Sequence, residues 1–253
     1  LFPYTKQAET IRDAMVKELQ RQQVTIHTGA AVTSISYDKV EGNFTASTAD
    51  GLRYVSEACI VATGGTSHPE TGSTGDGYWF AQSLGHTITP LFPGLIALKV
   101  FGQSIKQLQG ISLKDSAITL YDNKKLLLRD RGEILFTHFG LSGPLILNKS
   151  RILSNLIYAD NNHLNTERKI ILTVDCAPQW DMRALEKEII VQCQNRNKTP
   201  MKKIVSNFVP SRLAAYCLNV NQIADQTYGH NLSVNNRKAI IGWLKGAPFH
   251  IEG

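Results

Sequence analysis

In the first part of the chain, a helical pattern of hydrophobic residues is followed by strand patterns. From Ala8 to Leu19 apolar residues recur every three or four positions, which predicts a helix over 5–20 with Thr5 as its cap. A strand is predicted next, at 24–28. Three runs of period two, separated by turn residues, then predict a three-stranded antiparallel meander. These runs cover 32–37, 44–48 and 52–55.

A run that is apolar on both faces follows the meander. Residues 58–62 predict a strand buried inside a layered α/β sheet. The run leads into a segment with five glycines between Gly64 and Gly77. Residues 78–84 then predict a helix that is capped by Asp76 and ends before Gly85. Strand, glycine-rich loop and helix therefore follow one another along the chain.

Short β-prone runs separated by turns occupy the middle of the chain and predict an antiparallel sheet or barrel. These runs cover 96–100, 117–121, 125–128 and 133–136. A helix opened by Ser142 and a strand at 169–174 come next. Between 179 and 245 the period is helical, with Ser233 as the predicted cap of the last helix. Pro200, Pro210 and Gly229 break this stretch into short helices.

These patterns together predict an α+β fold in three parts. The first is an α/β part over 1–93 that contains the meander. The second is an antiparallel, barrel-like domain made of 94–175 and 246–253. The third is a helical lobe over 176–245, inserted between strands of the barrel because strand patterns flank it on both sides.

Composition is that of a globular protein able to bury a sizeable core. The chain has 253 residues, of which 42% are hydrophobic, and a chain of that length needs neither metal nor disulfide to fold. No apolar stretch approaches the roughly 20 residues that span a bilayer. The first twenty residues carry charges at helical spacing, which argues against a secretory signal. The four cysteines are widely scattered, so we expect no zinc site, no disulfide framework and a cytoplasmic location.

The chain is basic, but its charge is spread thinly. A net charge of +6 raises the possibility of a nucleic-acid partner. Only two pairs of basic residues are adjacent, namely Lys124–Lys125 and Lys202–Lys203, which argues against that partner. Three histidines, His68, His86 and His230, have no acidic or cysteine neighbour at ligand spacing, so no metal site is expected.

The glycine-rich segment is the strongest candidate for chemistry. A strand that ends in consecutive glycines allows a ligand to lie against the backbone, because no Cβ stands between them. The carboxyl ends of such strands are where open α/β sheets bind cofactors. A helix beginning at Asp76 directs its free amides at the same place, which suits an anionic group.

The alternative is that these glycines only make turns. A Walker P-loop is excluded, since 72–77 lacks the Gly-Lys-Ser/Thr ending.

Several blocks of the sequence are informative in their order and spacing. The blocks are Leu-Phe-Pro at 1–3, Val-Ala-Thr-Gly-Gly-Thr-Ser-His-Pro-Glu-Thr-Gly-Ser-Thr-Gly-Asp-Gly-Tyr at 61–78, Gly-His at 85–86, Phe-Pro-Gly-Leu at 92–95 and Glu-Ile-Leu-Phe-Thr-His-Phe-Gly-Leu-Ser-Gly-Pro at 133–144. Together they resemble the BaiN/YhiN-like family of FAD-dependent oxidoreductases. Family members begin with a strand, a Gly-x-Gly-x-x-Gly motif and a helix that hold the FAD pyrophosphate. They end with segments that close over the flavin. The sequence shows neither feature, so we expect an internal fragment in which 1–93 is the remnant of a Rossmann-like FAD-binding domain.

The resemblance implies cofactor-binding roles at matching positions. Val32 corresponds to the position whose backbone meets the adenine, and Ala62, Thr63, Gly64 and Gly65 correspond to the turn beside the dinucleotide. Gly72, Ser73, Thr74, Gly75, Asp76 and Gly77 correspond to a loop near the flavin. Thr137, Gly140, Ser142 and Gly143 correspond to the barrel side that faces the isoalloxazine, although Ser142 also suits a helix cap.

His138 is the candidate catalytic residue, because a histidine titrating near neutral pH in a glycine-rich loop can exchange a proton with a substrate. The alternative is a histidine bonded to a neighbouring carbonyl.

The resemblance implies a flavoenzyme that moves a hydride between FAD and a small organic substrate, with NAD(P)H as a possible electron donor. We expect this fragment to bind FAD poorly. The alternative function is a non-enzymatic module whose basic helical lobe binds a protein or nucleic acid. The sequence leaves the substrate and the oligomeric state open.

Overall fold

The computed structural model describes residues 3–158, 169–195 and 198–252. Leu1, Phe2 and Gly253, at the outer ends of the resemblance and of the predicted barrel-like domain, lie outside this range. The chain divides into two compact units, Leu1–Pro90 and Leu91–Gly253, which are described in turn.

The first unit contains the predicted meander. Strands β1 (Val32–Asp38), β2 (Asn43–Thr48) and β3 (Arg53–Ser56) form one antiparallel sheet in the order β1-β2-β3. A helix, α1 (Ala8–Arg21), precedes the sheet, and a second helix, α2 (Asp76–Ser83), follows it. Helix α2 packs on β1, and the two elements contribute the buried side chains Phe80 and Ile35.

Two predicted strands of this unit are absent from the described residues. Residues 24–28 and 58–62 have no strand pairing, and the side chain of Ile60 is 90% exposed. The prediction of a buried strand at 58–62 is wrong for this structure. An apolar run becomes a buried strand only where a sheet edge pairs with it, and the sheet described in residues 3–90 consists of the meander alone. Helix α1 begins at Ala8 rather than at Thr5, and none of its side chains is buried.

The second unit contains a six-stranded antiparallel sheet. Its strands are β4 (Leu98–Lys99), β5 (Ser112–Asp122), β6 (Lys125–Phe136), β7 (Gly140–Ser142), β8 (Ile170–Asp175) and β9 (Ala247–His250), in the order β4-β7-β6-β5-β8-β9. The predicted strands at 125–128 and 133–136 are one continuous strand, because the residues between them pair with β5.

The first and last strands of this sheet meet, so the sheet closes on itself. Val100 and Ile251 form an antiparallel bridge just beyond β4 and β9. The amide of Phe101 donates to the carbonyl of His250 at 2.8 Å, and the amide of Glu252 donates to the carbonyl of Lys99 at 2.8 Å. These bonds join the two edge strands at one point and confirm the antiparallel, barrel-like architecture.

Helices cover the barrel and form the inserted lobe. Helix α3 (Pro144–Tyr158) packs on β6. Helices α4 (Met182–Asn195), α5 (Met201–Val205), α6 (Ser211–Val220) and α7 (Val234–Gly246) lie between β8 and β9 in the chain, as the sequence predicted. Ser233 caps α7 by accepting from the amide of Asn236 at 3.1 Å. Helix α3 starts at Pro144 rather than at Ser142, which belongs to β7.

One hydrophobic core runs through the barrel and the lobe. Phe136 and Leu172 from the barrel share it with Leu185, Leu213 and Leu244 from the lobe. No helix of the described part of the chain is long and apolar enough to cross a membrane.

A largely buried lysine fixes the lobe to the end of a barrel strand. The ammonium of Lys245, on α7, lies 2.6 Å from the Asp175 carboxylate at the end of β8. It also donates to the carbonyls of Ala177 and Trp180. Its side chain is 13% exposed, so these three acceptors replace most of its water.

We predict that Lys245→Met destabilises the protein by about 2–4 kcal/mol, because Asp175 loses its positive partner and the Ala177 and Trp180 carbonyls lose the ammonium donor while the site stays largely buried. Urea unfolding followed by circular dichroism measures the change. The exposed Lys238 on the same helix serves as a control, and Lys238→Met is expected to change stability by less than about 0.5 kcal/mol. Equal effects of the two substitutions would contradict the role assigned to Lys245.

Candidate functional site

The glycine-rich segment of the first unit joins an exposed stretch to the start of α2. Gly75 is the N-cap residue of that helix, with φ of 91°, and Asp76 occupies the first turn instead of the predicted cap position. The left-handed conformation at the cap suits glycine and strains other residues. Asp76 still places its carboxylate near the positive end of the helix dipole.

Two of the glycines allow the segment to fold tightly on itself. A Cβ at Gly64 would lie 2.7 Å from Ser73 Oγ, and one at Gly77 would lie 2.5 Å from Thr63 Oγ1. Both distances are too short for real contacts, so only glycine permits this approach. For these two positions the structure supports the interpretation that the glycines serve the turn.

The same segment leaves backbone accessible from outside. Ala62, Thr63 and Gly64 are exposed, and a Cβ at Gly72 would meet no atom within 4 Å. The segment is therefore open on one side rather than packed beneath other side chains, and a ligand can reach its backbone.

A cleft of about 410 Å³ lies in the first unit between β1 and the start of α2. It brings together Val32 and Asp76, two residues that the resemblance assigns to the cofactor site, and adds Thr33, Trp79 and Phe80. The Trp79 indole is 71% exposed, which gives the cleft a flat aromatic surface. An exposed indole beside a helix N-terminus suits the planar rings and anionic phosphates of a flavin dinucleotide. No motif in the sequence marks Trp79, although its position three residues after Asp76 places both on one helix face.

Exposure of the segment before the glycines can be tested through Cys59. This thiol is exposed in the structure, whereas Cys176 and Cys217 are buried. Burial raises the pKa of Cys217 to about 12 and raises the pKa of Cys176 further, so neither forms the reactive thiolate near neutral pH.

We predict that iodoacetamide alkylates Cys59 in the native protein, while Cys176 and Cys217 react only in denaturant. Peptide mass spectrometry after a timed reaction gives the order of modification. The two buried thiols are the internal controls. If Cys59 is protected as strongly as Cys217, residues 58–62 are buried as the sequence alone predicts.

The second candidate region is a tight turn between β6 and β7 in the barrel. The amide of Thr137 donates to the carbonyl of Gly140 at 2.8 Å, and Thr137 Oγ1 accepts from the Gly140 amide at 3.0 Å. His138 occupies the turn, and its ring packs edge-on against Phe139 with centroids 4.9 Å apart. The turn therefore holds the imidazole on a rigid barrel edge.

His138 lines a cavity of about 420 Å³ at the point where the barrel closes. The other side chains around this cavity, which we call the His138 cavity, are Lys99, Val100, Phe101, Lys106, Phe139 and Glu252. The His138 imidazole forms no hydrogen bond with any described residue, so the structure shows no carbonyl bonded to this ring. Lys99 and Glu252 form an ion pair at 3.2 Å. The cavity combines a proton-transfer group, two phenyl rings and two lysines.

Most residues of the His138 cavity carry no sequence motif. Phe101 and Lys106 follow β4, and Glu252 follows β9. Pairing of β4 with β7 brings the first two beside His138, and the Val100–Ile251 bridge adds Glu252. The predicted site residues Gly140 and Ser142 belong to β7, the strand that follows the turn, and Gly143 lies between β7 and α3.

Two glycines of this region have a packing role. A Cβ at Gly140 would overlap the carbonyl oxygen of Leu98 on β4, and a Cβ at Gly143 would lie 2.8 Å from the Leu135 amide nitrogen. Gly143 also has φ of 95°. Close approach of backbones therefore explains glycine at both positions, whether or not a cofactor lies nearby.

We predict that Gly140→Ala lowers the free energy of unfolding by about 1–3 kcal/mol or more, because β4 must move away from β7. Gly242→Ala is the matched control. That glycine lies within α7 with nothing within 4 Å of its Cβ position, so alanine is expected to stabilise by about 0.5–1 kcal/mol. Thermal unfolding of both variants measures the difference. A neutral Gly140→Ala would refute the packing role.

The barrel with its inserted helices identifies the class of protein, and comparison with known sequences identifies the family. Residues 92–253 match the model described as the HI0933-like protein barrel and H2TH domain. The chain belongs to this family, and the resemblance to the BaiN/YhiN-like proteins is confirmed.

Three curated relatives extend the comparison over most of the chain. The 3-dehydro-bile acid delta(4,6)-reductase of Clostridium scindens is 26% identical over 88% of this chain. The ribosomal RNA dihydrouridine synthases of Escherichia coli and Haemophilus influenzae are 27% and 28% identical over 94% and 77% of it. Together with the resemblance, these relatives support a family of flavoprotein oxidoreductases. The chain spans about half the length of the relatives, matching 52%, 54% and 43% of them.

Proposed function

We propose that the chain is part of a flavin-dependent reductase that saturates a carbon–carbon double bond conjugated to a carbonyl group. The names of the relatives support this reaction. A delta(4,6)-reductase of a 3-dehydro bile acid removes double bonds conjugated to a ketone. Conversion of uridine to dihydrouridine saturates the ring double bond that is conjugated to a ring carbonyl. The two substrates differ in size and polarity, but the reacting group is the same.

The observation that carries this proposal is the His138 imidazole, which forms no hydrogen bond with any described residue and lines a cavity with two phenyl rings. Reduction of a conjugated double bond adds a hydride to the carbon remote from the carbonyl. Electron density then moves to the carbonyl oxygen, and the carbon next to the carbonyl must receive a proton. A histidine ring nitrogen can donate that proton near neutral pH.

Two further groups in the His138 cavity suit the same chemistry. The ammonium of Lys106 can stabilise the negative charge that develops on the carbonyl oxygen. Phe101 and Phe139 offer flat apolar surface on which a substrate ring can pack. Thr137 and Gly140 keep the histidine in place through the hydrogen bonds of the turn.

The residues of the first unit suit the dinucleotide cofactor. FAD, reduced by a nicotinamide, would supply the hydride. Val32 and Trp79 would contact its rings, while the accessible backbone of Thr63, Gly64 and Gly72 would approach its polar groups. No Gly-x-Gly-x-x-Gly motif occurs in the sequence, so we propose that this 253-residue chain binds FAD weakly.

We predict that His138→Gln slows reduction of the double bond by about 10²-fold or more, because glutamine cannot act as the acid. The assay uses the FAD-loaded protein extended at both ends to the length of its relatives. Separate substrates are a conjugated steroid ketone and a uridine-containing RNA. Stopped-flow absorbance follows reoxidation of the reduced flavin by each substrate, and added imidazole is expected to restore part of the rate.

His86→Gln is the control for this experiment, since the residue lies in the first unit and is exposed. Its rate is expected to stay within about twofold of the parent protein. If the His138→Gln variant reduces the double bond at the full rate, His138 is not the proton donor. An extended protein that binds no FAD would overturn the flavoenzyme proposal itself.

A further inference from the structure

The inserted lobe contains a cavity that shares no lining residue with the His138 cavity. It has a volume of about 220 Å³ and lies where α4, a 3₁₀ turn at Gly229–Asn231 and the first turn of α7 meet. The volume is below the roughly 300–1,000 Å³ of pockets for drug-sized ligands, so the cavity suits a smaller molecule. Its lining residues are Ile190, Cys193 and Gln194 on α4, Gly229, His230 and Leu232 in and after the turn, and Arg237 on α7.

Close packing of the 3₁₀ turn on α4 fixes the shape of this cavity. Gly229 is buried, and a Cβ at this position would lie 2.9 Å from the Cys193 Cα, so only glycine permits the approach. The His230 imidazole stacks on the Tyr228 ring, with centroids 5.9 Å apart and the planes 6° from parallel. Turn and helix are therefore held together, and the cavity is part of the folded lobe.

Most side chains that line the cavity are uncharged. Ile190 and Leu232 are half-buried and present aliphatic surface. Burial raises the pKa of the Cys193 thiol, so this group is neutral near pH 7 and adds apolar surface. The Gln194 amide is a neutral hydrogen-bonding group. Such a lining suits the hydrocarbon part of a small molecule.

Arg237 brings a positive charge to the cavity, and most of its donors are unused. Its side chain is only 21% exposed, and its Nε donates to Oε1 of Glu186 on α4 at 3.2 Å. A guanidinium has five N–H donors, and the other four of Arg237 form no hydrogen bond with any described residue. The edge formed by its two terminal nitrogens can therefore bind a carboxylate through two parallel hydrogen bonds.

The charge balance of the lobe also favours an anion. Residues 176–245 contain ten lysines and arginines against four aspartates and glutamates. Within the described part of the chain, no carboxylate lines the cavity. Glu186, the ion-pair partner of Arg237, contacts the guanidinium from outside the set of lining residues. A negatively charged ligand is therefore attracted to the lobe and meets an arginine in the cavity.

We propose that this cavity, which we call the Arg237 cavity, binds a short aliphatic monocarboxylate. The carboxylate accepts two hydrogen bonds from the terminal nitrogens of Arg237, and the hydrocarbon chain packs against Ile190 and Leu232. The site involves neither the flavin nor His138, so it is additional to the proposed reductase activity. Because its walls come from both α4 and α7, a bound ligand stabilises the packing of these two helices.

Binding is tested on the flavin-free 253-residue chain with sodium hexanoate as the probe. Nitrogen-15 NMR spectra follow the titration, with the Arg237 Nε–H and the backbone amides of Cys193 and Gly229 as reporters. For a ligand of this size we expect a dissociation constant on the order of 1–10 mM. Hexanamide has the same shape without the charge, and hexylamine carries the opposite charge. Both are expected to bind at least about tenfold more weakly than hexanoate, because neither offers a charged acceptor to the guanidinium.

Substitutions of the two ion-pair partners are expected to change hexanoate affinity in opposite directions. Arg237→Gln should weaken binding about tenfold or more, because the charged donors are lost. Glu186→Gln should strengthen binding about threefold, because a carboxylate that competes for the guanidinium is removed. A purely structural role of the ion pair would instead weaken binding in both variants. The matched control is Arg183→Gln, which removes one positive charge from an exposed site on α4 outside the cavity and should keep the affinity within about twofold.

Arg237→Lys keeps the test decisive if Arg237→Gln fails to fold. Lysine retains a positive partner for Glu186 but not the planar fork, so hexanoate is expected to bind about fivefold or more weakly. Circular dichroism shows which variants fold. The proposal is overturned if hexanoate leaves the Arg237 Nε–H unshifted, if hexanamide binds as tightly as hexanoate, or if the folded Arg237 variant and Arg183→Gln have equal affinities. Because no readout needs flavin or turnover, these outcomes are independent of the His138 experiment.

Discussion

Closure of the barrel by the last strand is the constraint on which the second unit depends. Strand β9 arrives after the whole helical lobe, pairs with β8 along one edge, and reaches the end of β4 through the Val100–Ile251 bridge. An open sheet of this kind would present two unpaired edges. Because the lobe lies between β8 and β9 in the chain, closure also fixes both ends of the lobe, and the Lys245–Asp175 ion pair reinforces that attachment.

The same closure creates the His138 cavity. His138 lies in the turn between β6 and β7, while Lys99, Phe101 and Glu252 lie where the barrel ends meet. The proposed proton transfer requires a donor held in a fixed place, and the hydrogen bonds of the Thr137–Gly140 turn fix His138 without involving its imidazole. Structural glycines support this arrangement: Gly140 allows β4 to approach β7, and Gly143 turns the chain into α3.

Interpretation of the glycine-rich segment at 62–77 changes once its contacts are known. Sequence analysis treats its glycines as one ligand-binding feature, with turns as the alternative. The structure divides them, because Gly64 and Gly77 are required where the segment folds on itself, whereas Gly72 is open to the outside. Both roles coexist in one segment. Glycine content alone does not separate them, since each role depends on what lies opposite the missing Cβ.

The sequence by itself determined the elements whose signals are local. Period-two alternation and turn residues predicted the meander, and short β-prone runs predicted parts of the barrel strands but not their length. Helical spacing with proline breaks predicted the inserted lobe and the Ser233 cap. It could not show whether residues 58–62 form a buried strand, because burial of an apolar run depends on a sheet edge elsewhere in the structure. Nor could it assemble Phe101, Lys106 and Glu252 around His138. That grouping arises from pairing of β4 with β7 and from barrel closure, contacts between residues far apart in the chain that no local pattern encodes.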